Sequence, residues 1–372
     1  ISGNERIDLQ IHYPGIDVAT DGRVRNFYIS DVINFSRHLQ VQTYQFVCIS
    51  ELAYLSSLKI LRRSFESGIG DEIQNILEND LHPSDGQAKN YFIKKSGGMV
   101  KGIYPNKNPI EAINWLMRNA NTAGSPYYFF ESLSWEQQDK RGKGGFVFGS
   151  FNDFLEEARC FKPLSYNYTP YNQGDREVDQ YEDLFNRSLL KVSTDLGMSK
   201  FNQIPEGAYG SSFLGVDLAK KKIYINDYKY EHDEMKSLNK YQSFATTKAS
   251  KFGDKFLNEY KGRRFYTSFN SLAYEGDIGN YNSVILNDPD ALQKSIAKDA
   301  NLNYLTHTIT AEGNFELYPG QVIEIKLPKA TAPEFMADSV MHDEILSGNF
   351  MITRLTHTFK EGEYMIKAEK NE

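Results

Sequence analysis

Pro319 and Gly320, between two strand-like runs in Gly313–Ile325 (GNFELYPGQVIEI), constrain the fold more than any other feature of this chain. Proline fixes φ near about −65°, and glycine accepts the positive φ that a type II turn needs at its third position. Behind the turn, Ile323, Ile325 and Leu327 face one way while Val322, Glu324 and Lys326 face the other. That period of two belongs to a β-strand, not a helix. Gly313 permits a close backbone approach or a bulge where the preceding strand begins. Register matters here, because a slip of one residue turns every core side chain outward. Gly313, Pro319 and Gly320 are therefore the candidate site residues, and their role is a structural turn. No acid, base or nucleophile stands among them in a catalytic arrangement.

The same period recurs at both ends of the chain. Near the C-terminus, Tyr364, Ile366 and Ala368 alternate with Met365, Lys367 and Glu369, which predicts a hairpin turning around Glu361-Gly362. Near the N-terminus, Asn26–Ser30 reads as a short strand. His38–Ser50 reads as a half-buried one, with Leu39, Val41 and Thr43 alternating against polar neighbours. The opening ISGNERIDLQ carries no Met, and the expectation is that a first strand lies upstream.

Between the ends the period changes. Ile69, Ile73, Ile76 and Leu77 fall at helical spacing, with Asp71 and Glu72 at the dipole-favoured first turn. A second helix is expected from Asn108 as cap and Pro109 at the first position. Glu111 completes a capping box, Ile110, Ile113, Leu116 and Met117 form the stripe, and Gly124 is the stop. SPYYFFESLSW and GGFVFGSFNDF read as aromatic strands around a charged hairpin tip, EQQDKRGKG. Turn residues are dense from Cys160 to Asp179, which predicts a linker. RSLLKVSTD and KKIYIND read as strands. Phe244, Phe252, Phe256 and Tyr260 hint at a helix. A third helix is expected after Asp288-Pro289, with Leu292, Ile296 and Ala300 on one face.

Composition narrows the function. At 372 residues the chain has room for two to four domains of roughly 100–200 residues. Its net charge of −7 disfavours a duplex nucleic acid partner, which needs clustered Lys and Arg. Cys48 and Cys160 are too few for a disulfide framework or a zinc cage, and point to a reducing compartment. No apolar run approaches the about 18 residues of a membrane span. Arg141–Gly145 (RGKGG) lacks phosphate-loop spacing, and Glu231–Glu234 (EHDE) is better read as a solvated loop than a metal site, because adjacent residues diverge. His307 and His357 are expected as satisfied strand residues. No catalytic, cofactor or metal residue is assigned. A glycosidase carboxylate pair cannot be picked out by spacing.

Two ordered stretches carry a resemblance. The first is GNERIDLQI with NFYISDVINFSRHLQVQTYQFVCISELAYLSSLKILRRSF; the second is GNFELYPGQVIEI with FMITRLTHTFKEGEYMIKA. Together with AINWLMRNANTAGSPYYFF, they resemble the baseplate hub proteins of T-even-type contractile-tailed phages, and more loosely the hub part of type VI spike proteins. The resemblance implies an α+β, mainly antiparallel β chain with two similar β-barrels and mixed α/β insertions, forming a trimeric ring. The first barrel would be residues 1–63 and a mixed α+β domain 64–175. The second barrel would be split as 176–215 and 306–372, around an inserted α+β domain, 216–305. It implies a late structural virion protein of the tail baseplate, assembled in the host cytoplasm. As a homotrimer it would adapt a hexameric tail tube, or a tube-initiator protein, to a trimeric spike that can be lysozyme-linked. A tape measure protein in the lumen is a further implied partner, and DNA would pass without specific binding. The alternatives are the equivalent hub of a phage-derived injection machine, a tail-associated glycosidase, and a carbohydrate-binding receptor protein with exposed aromatic platforms.

Overall fold

The computed structural model describes residues 5–10, 24–39, 41–81, 91–94, 99–120, 124–132, 145–160, 163–168, 188–196, 200–218, 221–230, 251–269, 289–302, 305–314, 317–329, 342–343, 346–360 and 363–371. The chain divides into two compact units, residues 1–120 with 128–149, and residues 121–127 with 150–372. The fold is α+β, with mainly antiparallel sheets and short helices.

In the first unit, β1 (Arg6–Gln10), β2 (Val24–His38) and β3 (Val41–Ser50) form a three-stranded antiparallel sheet. Ser50 caps α1 (Glu51–Leu58) by accepting from the Ala53 amide. Then β4 (Ser64–Gly68) leads into α2 (Ile69–Asn75), which continues as a π-helical turn, Ile76–Asp80. Ile69, Ile73, Ile76 and Leu77 are all buried, as their spacing predicts. β5 (Tyr91–Ile93) and β6 (Met99–Ile103) follow, and β6 pairs with β4. Next comes α3 (Pro109–Asn119), where the Glu111 carboxylate accepts from the Asn108 amide as the capping box requires. The helix ends before Gly124, which takes its positive φ (67°) in a later turn. β7 (Tyr127–Ser132) and β8 (Gly145–Ser150) are neighbours in a sheet ordered β5-β8-β7.

In the second unit, GGFVFGSFNDF is not strand throughout. At Phe151 it becomes α4 (Phe151–Cys160), because the Ser150 hydroxyl and amide both donate to Asp153 and the Asp153 amide donates back to Ser150. The turn-rich segment expected as a linker contains β9 (Leu164–Asn167), whose Tyr166 is buried. β9 joins β10 (Leu189–Leu196), β16 (Leu305–Glu312), β17 (Val322–Lys326), β18 (Gly348–Lys360) and β19 (Glu363–Asn371) in one sheet ordered β10-β16-β19-β18-β17-β9. Between these, α5 (Lys200–Glu206) precedes β11 (Gly210–Asp217), β12 (Lys222–Lys229), β13 (Lys251–Phe252), β14 (Lys255–Phe256), β15 (Arg263–Phe269) and α6 (Pro289–Leu302).

β11 pairs with β12 and β15, not with the six-stranded sheet. α6 covers its inner face; Ala300 is buried as expected, while Leu292 and Ile296 are only half-buried. Gln293 and Ala297 are fully buried, and Gln293 accepts from Asn226 (2.8 Å) while donating to Ser211 (2.9 Å). Asp288, the expected cap, and Phe244 lie outside the described residues. The aromatics Phe252, Phe256 and Tyr260 are not helical. Gly253, at φ 62°, lets β13 turn back onto β14, and a single 3-10 turn follows.

Neither sheet expected as a barrel is closed among the described residues. Three strands are too few to close around a core. The six-stranded sheet comes nearer: a lone parallel bridge, Asn167↔Ser188, joins its edge strand β9 to the residue before its other edge strand, β10. The curled sheet surrounds a core that includes Tyr166, Leu305, Ile309, Ile323, Ile325 and Phe350. At about 25 cal/mol per Å² of apolar surface, this interior is the main stabilising element of the sheet.

Candidate functional site

The expected turn residues fall at the start of β17. The Gln321 amide donates to the Tyr318 carbonyl (3.2 Å), which closes a four-residue turn with Pro319 second and Gly320 third. Gly320 has φ 87°, the value of a type II turn at that position. The turn is then fastened to β18: the Gly320 amide donates to the Ile352 carbonyl (2.7 Å), and the Ile352 amide donates to the Gln321 carbonyl (2.9 Å). Pro319 and Gly320 thus set where β17 begins against β18. Gly313 is buried just after β16 and does not take a positive φ.

That register opens onto a repetition. β17, β18 and β19 form a meander of 5, 13 and 9 residues, and β1, β2 and β3 form another of 5, 15 and 10. In each, the short strand pairs only with the beginning of the long one, ending at Arg6↔Tyr28 and at Val322↔Met351. In each, the long strand then bulges just past that rung, between Ile29 and Asp31 and between Ile352 and Arg354. Beyond the bulge the ladder runs from Asp31↔Val47 to His38↔Val41, and from Arg354↔Glu369 to Lys360↔Glu363. The N-terminal copy has one further irregularity, between Ile33 and Ser36, where Asn34 takes φ 54°. Bulges are specific features of a sheet, and the two meanders share strand order, pairing and bulge position.

The surroundings of the two copies differ. β19 is flanked by β16 and β17 by β9, whereas β1 and β3 are edges among the described residues. β3 was expected half-buried, but Val41–Val47 are all exposed, because among the described residues no layer packs on them. Leu39 is 92% exposed at the hairpin tip, with φ 48°. Phe35, 59% exposed, lies 5.1 Å from Tyr44 and Tyr44 lies 6.1 Å from Phe46, ring centre to centre. The apolar hairpin is the candidate interaction surface, since apolar patches of this kind mark contacts. Sequence reasoning missed it, although Tyr44 and Phe46 alternating with Val41 and Val47 put apolar groups on both faces of one strand.

The most ordered polar cluster lies in the first unit and is saturated. Glu72, on α2, accepts from Arg63 (2.8 Å), Tyr104 (3.0 Å), Ser67 (3.1 Å) and Asn75 (3.3 Å), and Arg63 also reaches Asp80 (2.9 Å). Burial, then the Glu72 charge, pushes the Tyr104 phenol well above its usual value. A carboxylate with four donors and no free lone pair directed outward fixes structure and offers no nucleophile. His307 is buried in β16. Its Nε2–H donates to the Leu346 carbonyl (3.1 Å), which leaves Nδ1 to accept from the Thr194 hydroxyl (2.8 Å). His357 sits half-buried on β18, and burial lowers its pKa to about 4. Glu231–Glu234 and Arg141–Gly144 lie outside the described residues. Among the described residues, no group of three or more His, Cys, Asp or Glu is placed to hold a metal ion, and no helix is long and apolar enough to cross a membrane.

No protein-family model and no curated protein matches the chain. Solved structures do, among them tail and baseplate proteins and a type VI secretion component. The tail protein from Neisseria meningitidis MC58 is 10% identical with a TM-score of 0.50, over 94% of this chain and 80% of that one. The 43 kDa tail protein of prophage MuSo2 from Shewanella oneidensis is 9% identical with a TM-score of 0.44, over 98% and 88%. The E. coli c3393 protein, a type VI secretion component, is 10% identical with a TM-score of 0.42, over 96% and 62%. At such identities a likeness establishes fold alone, and of these three the Neisseria protein has the score that carries it. The chain has a tail-protein fold.

Proposed function

We propose that this protein is a structural, non-enzymatic component of a virion tail, the central hub of a contractile-tail baseplate. The observation that carries the reading is the meander built twice with its bulge in the same place. A chain with two copies of one β module presents six such modules as a trimer. It can therefore meet a six-fold tail tube on one side and a three-fold spike on the other. Both modules then close into barrels within the assembly. The residues between β3 and β9 and those between β10 and β16 serve as outer insertions, and the Tyr318–Gln321 turn fixes the register of the second module.

The net charge of −7 suits a channel through which DNA slides, because part of that charge facing the lumen repels phosphate. The shared fold with a tail protein and the saturated state of the polar cluster support a role in assembly. Sedimentation of the purified full chain at micromolar concentration tests the reading. A particle of three times 42.6 kDa is expected. A monomer at every concentration, in the presence of tail tube and spike partners, would overturn it.

A further inference from the structure

The duplication assigns a partner to the open edge of β3. Anchoring the two meanders at their bulges equates Asp31↔Val47 with Arg354↔Glu369. Val32↔Phe46 then corresponds to Leu355↔Ala368, and Leu355 packs against the core of the curled sheet. The Phe46 face of the N-terminal sheet is therefore the counterpart of a core-facing surface, yet Phe46 is 41% exposed. In the complete copy, the outer edge of β19 is paired with antiparallel β16, through Thr308↔Glu369, Ile309↔Ala368 and Thr310↔Lys367. On β16, Leu305, His307, Ile309 and Ala311 are buried and the residues between them only half-buried. No strand occupies the equivalent edge of β3 among the described residues.

We infer that the outer edge of β3, from Thr43 to Cys48, accepts one antiparallel strand from a partner polypeptide. The incoming segment alternates aliphatic residues with Thr or Ser, the pattern of Leu305–Ala311 apart from its buried His307. Its aliphatic residue opposite Phe46 takes the place that Ile309 holds opposite Ala368. Its neighbours opposite Val47 and Gln45 take the places of Thr308 and Thr310. Backbone hydrogen bonds along the edge supply affinity, and the aromatic row of Phe46, Tyr44 and Phe35 selects for apolar alternation. An unprotected strand edge of this apolar character otherwise promotes aggregation, which a donated strand prevents.

The probe is the chain's own template, a synthetic peptide LTHTITAEG covering residues 305–313, titrated into the full-length protein. Hydrogen–deuterium exchange should show saturable protection of the amides of Thr43–Cys48. Phe46→Lys should weaken binding at least about tenfold, while Ile223→Lys, on the exposed strand β12 of the other unit, should leave it unchanged. A scrambled peptide should not bind. Absence of protection at Thr43–Cys48 would overturn the inference. So would protection confined to Glu363–Asn371, which would mean that the peptide exchanges with resident β16. Equal binding by Phe46→Lys or by the scrambled peptide would overturn it as well. The inference rests on the repeated meander and not on the hub reading. A failed titration leaves trimer formation untested, and a monomer in sedimentation leaves the strand acceptor intact.

Discussion

Replacing Glu72 with Gln isolates the electrostatic part of the first unit's stability. The side chain is only 4% exposed and Gln has nearly its shape, so no cavity opens. The change removes the charge that faces Arg63 at 2.8 Å and Tyr104 at 3.0 Å. It also turns one acceptor oxygen into a donor, which then opposes either the Arg63–Tyr104 pair or the Ser67–Asn75 pair. Removing one partner of a fully buried ion pair costs about 3–5 kcal/mol. The Arg63 side chain is 34% exposed and keeps Asp80, so water and Asp80 recover part of that, and about 2 kcal/mol remains. Trp115 stands edge-on to Tyr104 and Phe65, at 6.2 and 6.0 Å, and reports on this region. Urea unfolding followed by Trp115 fluorescence in a Trp135→Phe background should show the midpoint falling without a change in slope. Tyr104→Phe, which removes one hydrogen bond, should cost about 1 kcal/mol. A Glu72→Gln effect under about 0.5 kcal/mol would refute the view that this carboxylate organises the unit.

Four further outcomes follow, three from the second unit and one from the same cluster. Gly320→Val places a β-branched residue at φ 87° and should cost about 2 kcal/mol by urea unfolding, with Pro319→Ala costing less than about 1. Ile323→Ala empties part of a fully buried core position and should cost about 3 kcal/mol, measured by thermal unfolding against Ile225→Ala, an exposed control expected near zero. His357 has a folded pKa of about 4 against an unfolded value near about 6.5, so the unfolded chain binds the proton first. Its contribution is intact above about pH 6.5 and is lost as the pH falls toward 4, by about 1–2 kcal/mol once the ring's partial exposure is allowed for. His357→Phe should flatten that part of the stability–pH curve. Tyr104 behaves with the opposite sign: its raised phenol pKa means that stability declines as the pH rises above about 10, and Tyr104→Phe removes that decline.

Local chemistry made some elements legible and tertiary context hid others. The turn at Pro319-Gly320 and the helix capped by Asn108 and Glu111 follow from groups a few residues apart, and both stand where the spacing put them. The Ile69–Leu77 stripe was equally plain, although its end as a π-helical turn was not. β9 was masked by its own turn-rich composition, since only pairing with β17 far along the chain makes Leu164–Asn167 a strand. The helix α6 shows the reverse error. Its apolar residues suggested Leu292 and Ile296 as the buried face, but two hydrogen bonds pull the polar Gln293 into the centre. The exposed state of β3 was invisible because periodicity states which residues share a face and not whether anything covers that face. The likeness of the two meanders was expected from the resemblance alone and has no signature in residue types. It lies in bulge position and rung order, which Asp31–Val47 and Arg354–Glu369 share without sharing a residue type.

In a hub, the two long hairpins of each chain lie in equivalent places around one channel of the assembled particle. Electron cryomicroscopy of the full chain bound to its tail tube and spike, at a resolution that traces strands, measures this directly. The result expected is a ring in which β2–β3 hairpins alternate with β18–β19 hairpins at six equivalent positions around one channel. A particle with only one kind of hairpin at the channel, or with the two kinds in unrelated settings, would contradict it.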